Sequence, residues 1–223
     1  MADSIPRPDA ARAGLAVRLV SSPLFWAATI GVLFGLPMIR SVTRRLSASP
    51  AILGTLPAFA LTDQTGRSFG TRQLAGKVWV ADFIFTSCAE ACPLLTQRMA
   101  EVGRRARHLG PDFHLVSISV DPERDTPARL AAYAADHGAN PVQWSFLTGP
   151  ADAVQAAVTE GFKVGMGRER TDGGPEFWEI FHGETLVLVD RGLRIRGYFP
   201  ATPEGLDKLL EAVARVANAP SGS

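Results

Sequence analysis

Three side chains stand out for the chemistry they could do together: Cys88, Cys92 and His182. The two cysteines are the only ones among 223 residues, and lie in Thr86-Ser87-Cys88-Ala89-Glu90-Ala91-Cys92-Pro93. They follow an apolar run, Lys77 to Phe85, that suits a buried strand, and they open a helical pattern from Pro93 to Leu109. A helix N-terminus favours negative charge, so a thiol placed there leans towards the reactive thiolate. Two thiols four residues apart at such a turn can converge as a disulfide or as two ligands of one metal. A purely structural disulfide is the bland alternative, but a loop this short would contribute only about 2 kcal/mol. His182 sits in Phe177-Trp178-Glu179-Ile180-Phe181-His182-Gly183, where no helix end accounts for it. Two thiolates and one imidazole form a donor set that suits copper, whereas a structural zinc site would want a fourth protein ligand.

The other histidines have ordinary explanations. His108 and His137 each fall where a helix meets a glycine, a position at which an imidazole can bond free carbonyls. His114 lies within a strand pattern and reads as an edge or packing residue. Asp82, inside the apolar run, is the odd carboxylate. It is either a proton acceptor for the thiols or a side chain pointing out of the sheet at an edge, since burial would raise its pKa or demand a partner.

The elements that must position these groups alternate between strand and helix. A hairpin is expected over Phe59 to Phe69, around Asp63-Gln64-Thr65-Gly66. Strands are expected at 77–85, 113–120 and 143–147, with helices at 93–109, 126–137 and 151–159. A Gly-rich loop spans 165–176. A hairpin of 185–189 and 193–199 and an amphipathic helix over 203–217 close the chain. This order implies a three-layer α/β sandwich with a mixed sheet, as in a thioredoxin-like fold. Asp121-Pro122 would end a strand, and Asp125-Thr126-Pro127 would start a helix with a capping residue and a first-turn proline.

Ahead of this domain, Leu19 to Ile39 contains no charged residue. Such a helix spans about 30 Å, the thickness of a hydrocarbon core. A short tail (1–18), an anchor (19–39), a linker (40–56), a domain (57–217) and a flexible tail (218–223) are therefore expected. A cleaved signal peptide is the competing reading, but the apolar run is longer than its usual hydrophobic region. No cysteine lies directly after the run, which speaks against a lipid anchor. Three arginines on either side leave the orientation open. Composition sets the remaining bounds. Apolar residues make up 46%, and 23 bases nearly balance 22 acids. That is enough to build a core, and it lacks the basic excess of a general nucleic-acid binder.

Over roughly residues 55–215 the chain resembles the SCO/SenC proteins, thioredoxin-fold copper chaperones of cytochrome c oxidase assembly. The matching pieces come in order. Gly76-Lys77 leads into Phe85-Thr86-Ser87-Cys88, then Cys92-Pro93, one residue longer than the thioredoxin Cys-x-x-Cys. Next comes Ser119-Val120-Asp121-Pro122-Glu123-Arg124-Asp125-Thr126-Pro127. Finally His182 precedes a strand ending Val189-Asp190, with Gly192 after it. The resemblance implies that Cys88, Cys92 and His182 bind copper, as Cu(I) or Cu(II). It implies a single-pass inner-membrane protein of bacteria, with its domain in the periplasm. It also implies two partners: a copper donor and a copper-binding subunit of the oxidase. The chain departs from the family's habit at Ala89 (often Pro), Phe181 (often Asp) and Gly183 (often Ser or Thr).

A thiol–disulfide oxidoreductase of the same fold remains the alternative. It would need Cys88 and Cys92 as its redox pair but not His182. A peroxidase fits less well, because Thr86 stands only two residues before Cys88. A non-catalytic interaction module would need neither cysteine.

Overall fold

A computed structural model of the chain describes residues 21–45, 49–87, 91–169, 177–180 and 185–219. It divides into two units, Met1–Ala48 and Ser49–Ser223. In the first, helix α1 runs over Pro23–Arg45. It is the one helix among the described residues long and apolar enough to cross a membrane. It continues past Pro37 and beyond Ile39, so the helix outlasts the uncharged run.

The second unit is built on an eight-stranded mixed sheet with the order β1-β10-β9-β4-β5-β6-β2-β3. The strands are β1 (Gly54–Thr55), β2 (Ala60–Asp63), β3 (Ser68–Gly70), β4 (Val78–Ile84), β5 (Phe113–Ser119), β6 (Trp144–Thr148), β9 (Thr185–Val189) and β10 (Arg194–Pro200). Strands β7 (Met166–Glu169) and β8 (Phe177–Ile180) form a separate two-stranded ribbon. The expected 165–176 loop is thus partly strand, since Met166 to Glu169 pair with Ile180 to Phe177. Part of the expected 40–56 linker also carries regular structure: α1 reaches Arg45, and Gly54–Thr55 pair with β10.

The helices of this unit are α2 (Thr71–Leu74), α3 (Ala91–Ala106), α4 (Pro127–Asp136), α5 (Ala151–Gln155) and α6 (Pro203–Asn218). A 3-10 segment (Arg107–Asp112) follows α3, and a π-helical segment (Ala156–Gly161) follows α5. Helix starts obey local chemistry. Thr126 accepts from the Arg129 N–H and Thr202 from the Gly205 N–H, each with proline in the first turn. Such a cap satisfies one of the helix's otherwise unbonded N–H groups, and proline there gives up an N–H with no partner to lose.

The period-2 alternation of the central strands divides the interior into two layers. Val78, Val80 and Ile84 of β4 join Phe113 and Leu115 of β5 beneath α3, α4 and α6. Trp79, Ala81 and Phe83 face the opposite way, towards Val154, Val158 and Phe162. All seven residues of β4 and all seven of β5 are buried, as expected of parallel strands covered on both faces. The β9–β10 turn is locked by Asp190, which accepts from the Gly192 and Arg194 N–H groups and from Arg194 and Arg196 Nε. Arg196 also donates to the Pro50 carbonyl at 2.7 Å, tying the start of the unit to the sheet.

Candidate functional site

The described part of the candidate site lies at one end of the sheet, where β4 and β5 finish. Both strands are parallel and in register from Val78 opposite Phe113 to Ile84 opposite Ser119, so their C-terminal ends are level. In open α/β sheets, crevices beyond those ends are the usual place for ligands. The chain leaving β4 passes through Phe85, Thr86 and Ser87 and resumes in α3, whose second residue is Cys92. Cys92 is buried and packs in the layer of Val80, Ile84, Leu95 and Met99. Cys88 lies outside the described residues.

Strand β9 runs antiparallel to β4, with Val189 opposite Trp79 and Val187 opposite Ala81. Its first residue, Thr185, therefore lies towards the end of β4 that leads to Cys88. His182 also lies outside the described residues, in the connection between Ile180 of β8 and Thr185 of β9. Among the described residues, no three His, Cys, Asp or Glu side chains converge on a metal-sized space.

Several polar groups lie near this end of the sheet among the described residues. Asp82 is fully buried on the β4 face that α3 covers, and neither carboxylate oxygen has a hydrogen-bond partner. Burial pushes its pKa up to about 7, and the neighbouring Ser117 hydroxyl opposes the rise only in part. Asp82 stands in the middle of a central strand, so the edge alternative is overturned. Ser117, its cross-strand neighbour, instead accepts from Trp144 Nε1 at 2.9 Å. In the same layer the Thr96 and Tyr133 hydroxyls meet at 2.7 Å, joining α3 to α4.

A second polar centre holds the β4 exit. Asp125, fully buried, accepts from the Thr86 backbone N–H at 2.9 Å and from the Thr86 hydroxyl. It also accepts from the Ser119 hydroxyl at 2.6 Å. Ser119 Oγ in turn accepts from the Asp121 N–H, and Arg124 pairs with the Asp121 carboxylate at 3.1 Å. Thr126 and Pro127 start α4 as the sequence suggests, but the carboxylate beside them serves more than a helix start. Its partner lies 39 residues earlier, which local motif reading does not reveal. The available signal was a third acid-capable residue in a run where one cap suffices.

The remaining histidines behave structurally. His137 Nδ1 donates to the Tyr133 carbonyl and its ring stacks on Tyr133, while His108 Nδ1 bonds the Arg105 carbonyl. His114 is buried against Phe69 and bonded to Ser145 Oγ at 2.9 Å. Burial, aided by the charge of Lys77, pushes its pKa down to about 4.

The SCO1/SenC family model matches residues 51–218. The chain belongs to the SCO1/SenC family. It is 38% identical over 132 residues to the SCO1 protein homolog of Bacillus subtilis, covering 59% of this chain and 66% of that protein. The chain thus spans about two thirds of the length of the curated relatives it matches. The structure of Bradyrhizobium japonicum ScoI with copper bound superposes with a TM-score of 0.59 at 30% identity, covering 70% of this chain and 98% of that one. BsSco, a member of the Sco family of cytochrome c oxidase assembly proteins in which a disulfide switch was identified, superposes with a TM-score of 0.64 at 25% identity, covering 78% and 98%. The SCO1/SenC assignment brings with it the thioredoxin-like fold anticipated from the order of elements.

Proposed function

We propose that this protein is a membrane-tethered copper carrier that serves assembly of a cytochrome c oxidase copper site, with Cys88, Cys92 and His182 as the copper ligands. The observation that carries the reading is the strand register. The chain before Cys88 leaves β4, and the chain after His182 enters β9, towards the same end of the sheet. Cys92, in the first turn of α3, lies at that end too. Copper is the cargo. Thiolates suit Cu(I), and an imidazole added to them extends the range to Cu(II). The copper-bound Bradyrhizobium relative supports the choice of metal.

The thiol pair also provides a means of release. In the dithiol form both sulfurs are available as thiolates. Exchange with a disulfide of another molecule forms the Cys88–Cys92 disulfide, reduces the other disulfide to two thiols, and leaves copper without its sulfur ligands. The long helix α1 supports attachment to a membrane, with the domain on the periplasmic side of the bacterial inner membrane. The oxidase subunit that receives copper and the protein that supplies it are the two partners this role requires.

A Cu(I) titration of the full chain in detergent, against a chromophoric competitor, tests the reading. Wild type should take up one tight equivalent, and His182→Ala and Cys88→Ser should bind far more weakly. Equal binding by wild type and His182→Ala would remove His182 from the site. It would leave a dithiol oxidoreductase acting through Cys88 and Cys92.

A further inference from the structure

The Asp125 centre has no place in the three-ligand site, yet it is built with care. A fully buried carboxylate costs several kcal/mol unless its oxygens are bonded. Here three donors converge on it: the Thr86 N–H, the Thr86 hydroxyl and the Ser119 hydroxyl. Two of the three come from one residue, which fixes both the backbone and the side chain of Thr86. Thr86 stands two peptide units before Cys88, at the point where β4 has ended and no ladder holds the chain. Asp125 itself is held, since its N–H donates to the Asp121 carbonyl at 2.9 Å and the next residue caps α4. The clamp therefore spans three elements: the β4 exit, the end of β5 through Ser119, and the start of α4.

We propose that Asp125 is a positioning residue for the thiol centre. By clamping Thr86 it fixes the backbone that delivers Cys88, and so sets both the copper affinity and the dithiol–disulfide equilibrium of the pair. The copper half rests on the ligand set proposed above, whereas the thiol half needs only the two cysteines. Outer groups that orient a metal ligand commonly change affinity by about 10–100-fold when removed.

Thr86→Val keeps the residue's shape and its N–H but removes the hydroxyl bond, whereas Thr86→Ser keeps both bonds. The full chain in detergent is equilibrated with oxidised and reduced glutathione, and Cu(I) affinity is titrated in parallel. Thr86→Val should move the thiol–disulfide equilibrium constant by about tenfold, which is about 30 mV for this two-electron couple. It should weaken Cu(I) binding by a similar factor, with Thr86→Ser within about twofold of wild type. A folded Thr86→Val with both quantities unchanged overturns the proposal. Should that variant fail to fold, Ser119→Ala removes a single donor and should shift the same equilibrium by about threefold; no shift overturns the proposal equally. If wild type binds no copper but the thiol equilibrium still moves in Thr86→Val, the positioning role stands and the copper reading falls.

Discussion

The two faces of the central sheet bury comparable strands by different means. Around Phe162 one face is filled with hydrocarbon. Phe162 makes edge or tilted contacts with Phe59, Trp79 and Phe83, at centroid separations of 6.1, 5.8 and 5.2 Å. Its one unpaired polar side-chain atom on β4 is the neutral indole N–H of Trp79. The face beneath α3 holds Cys92, Thr96, Ser117 and the unpartnered carboxylate of Asp82. An unpaired neutral donor costs about 1–3 kcal/mol at any pH, whereas an unpaired carboxylate makes its cost depend on pH. Around Phe162 the packing thus provides stability that is indifferent to pH, although the same face also holds His114 opposite Trp79, at the far end of β5. The opposite face, which carries a cysteine, makes stability conditional.

The largest effect should come from the Phe162 cluster. Phe162→Ala removes a fully buried ring and should cost about 3–5 kcal/mol in a denaturant melt. That cost should be the same at pH 5 and pH 8. A cost that changes with pH would break the contrast between the faces.

Asp82→Asn should sharpen it. The wild-type carboxyl is protonated in the folded state up to about pH 7 but ionises near 3.8 when unfolded. The contribution of Asp82 is therefore lost as pH rises from about 4 to about 7, with a slope of at most about 1.4 kcal/mol per unit. The asparagine variant should lack this slope and be more stable at pH 8 by at most about 4 kcal/mol, read from melts across the range.

His114 provides the opposite slope from the far end of β5. Its folded pKa of about 4 lies below its ordinary 6.5, so it favours folding above pH 6.5 and loses that contribution as pH falls towards 4. In wild type the two slopes offset each other over most of that window. His114→Gln should expose the Asp82 slope, giving a protein that gains stability on acidification from pH 7 to pH 5. A flat profile in both single variants would contradict the assignment of either group. The smallest effect should follow from Thr202→Ala, which loses the cap of α6 on the thiol-bearing face for about 1 kcal/mol, equally at every pH.

Legibility in the sequence divided along the same line. The apolar period of β4, the capping pattern at Thr126-Pro127 and the glycine-bounded helices were readable because each signal is local. The thiol motif stands out for the same reason, by residue type and spacing, and its role belongs to the proposal above. Asp82 was legible as an anomaly, but its burial depended on β4 being central, with β5 and β9 on either side. Asp125 looked like part of a turn, because the partner that gives it a role lies across the sheet at Thr86. The ribbon of β7 and β8 was missed because glycine-rich composition outweighed a four-residue strand signal. The pairing of Gly54–Thr55 was missed because two residues carry no period at all.

The sheet's borders carry a last consequence. Its outermost strands are β1 with two residues and β3 with three. Exposed edges recruit foreign strands in proportion to the length of unpaired backbone they offer. A neighbouring chain that pairs with β1 or β3 finds at most three residues, too few to template growth, although β1 meets the seven-residue β10 at only two positions. These two short border strands thereby offer a second copy of the chain little backbone to pair with, even at high concentration.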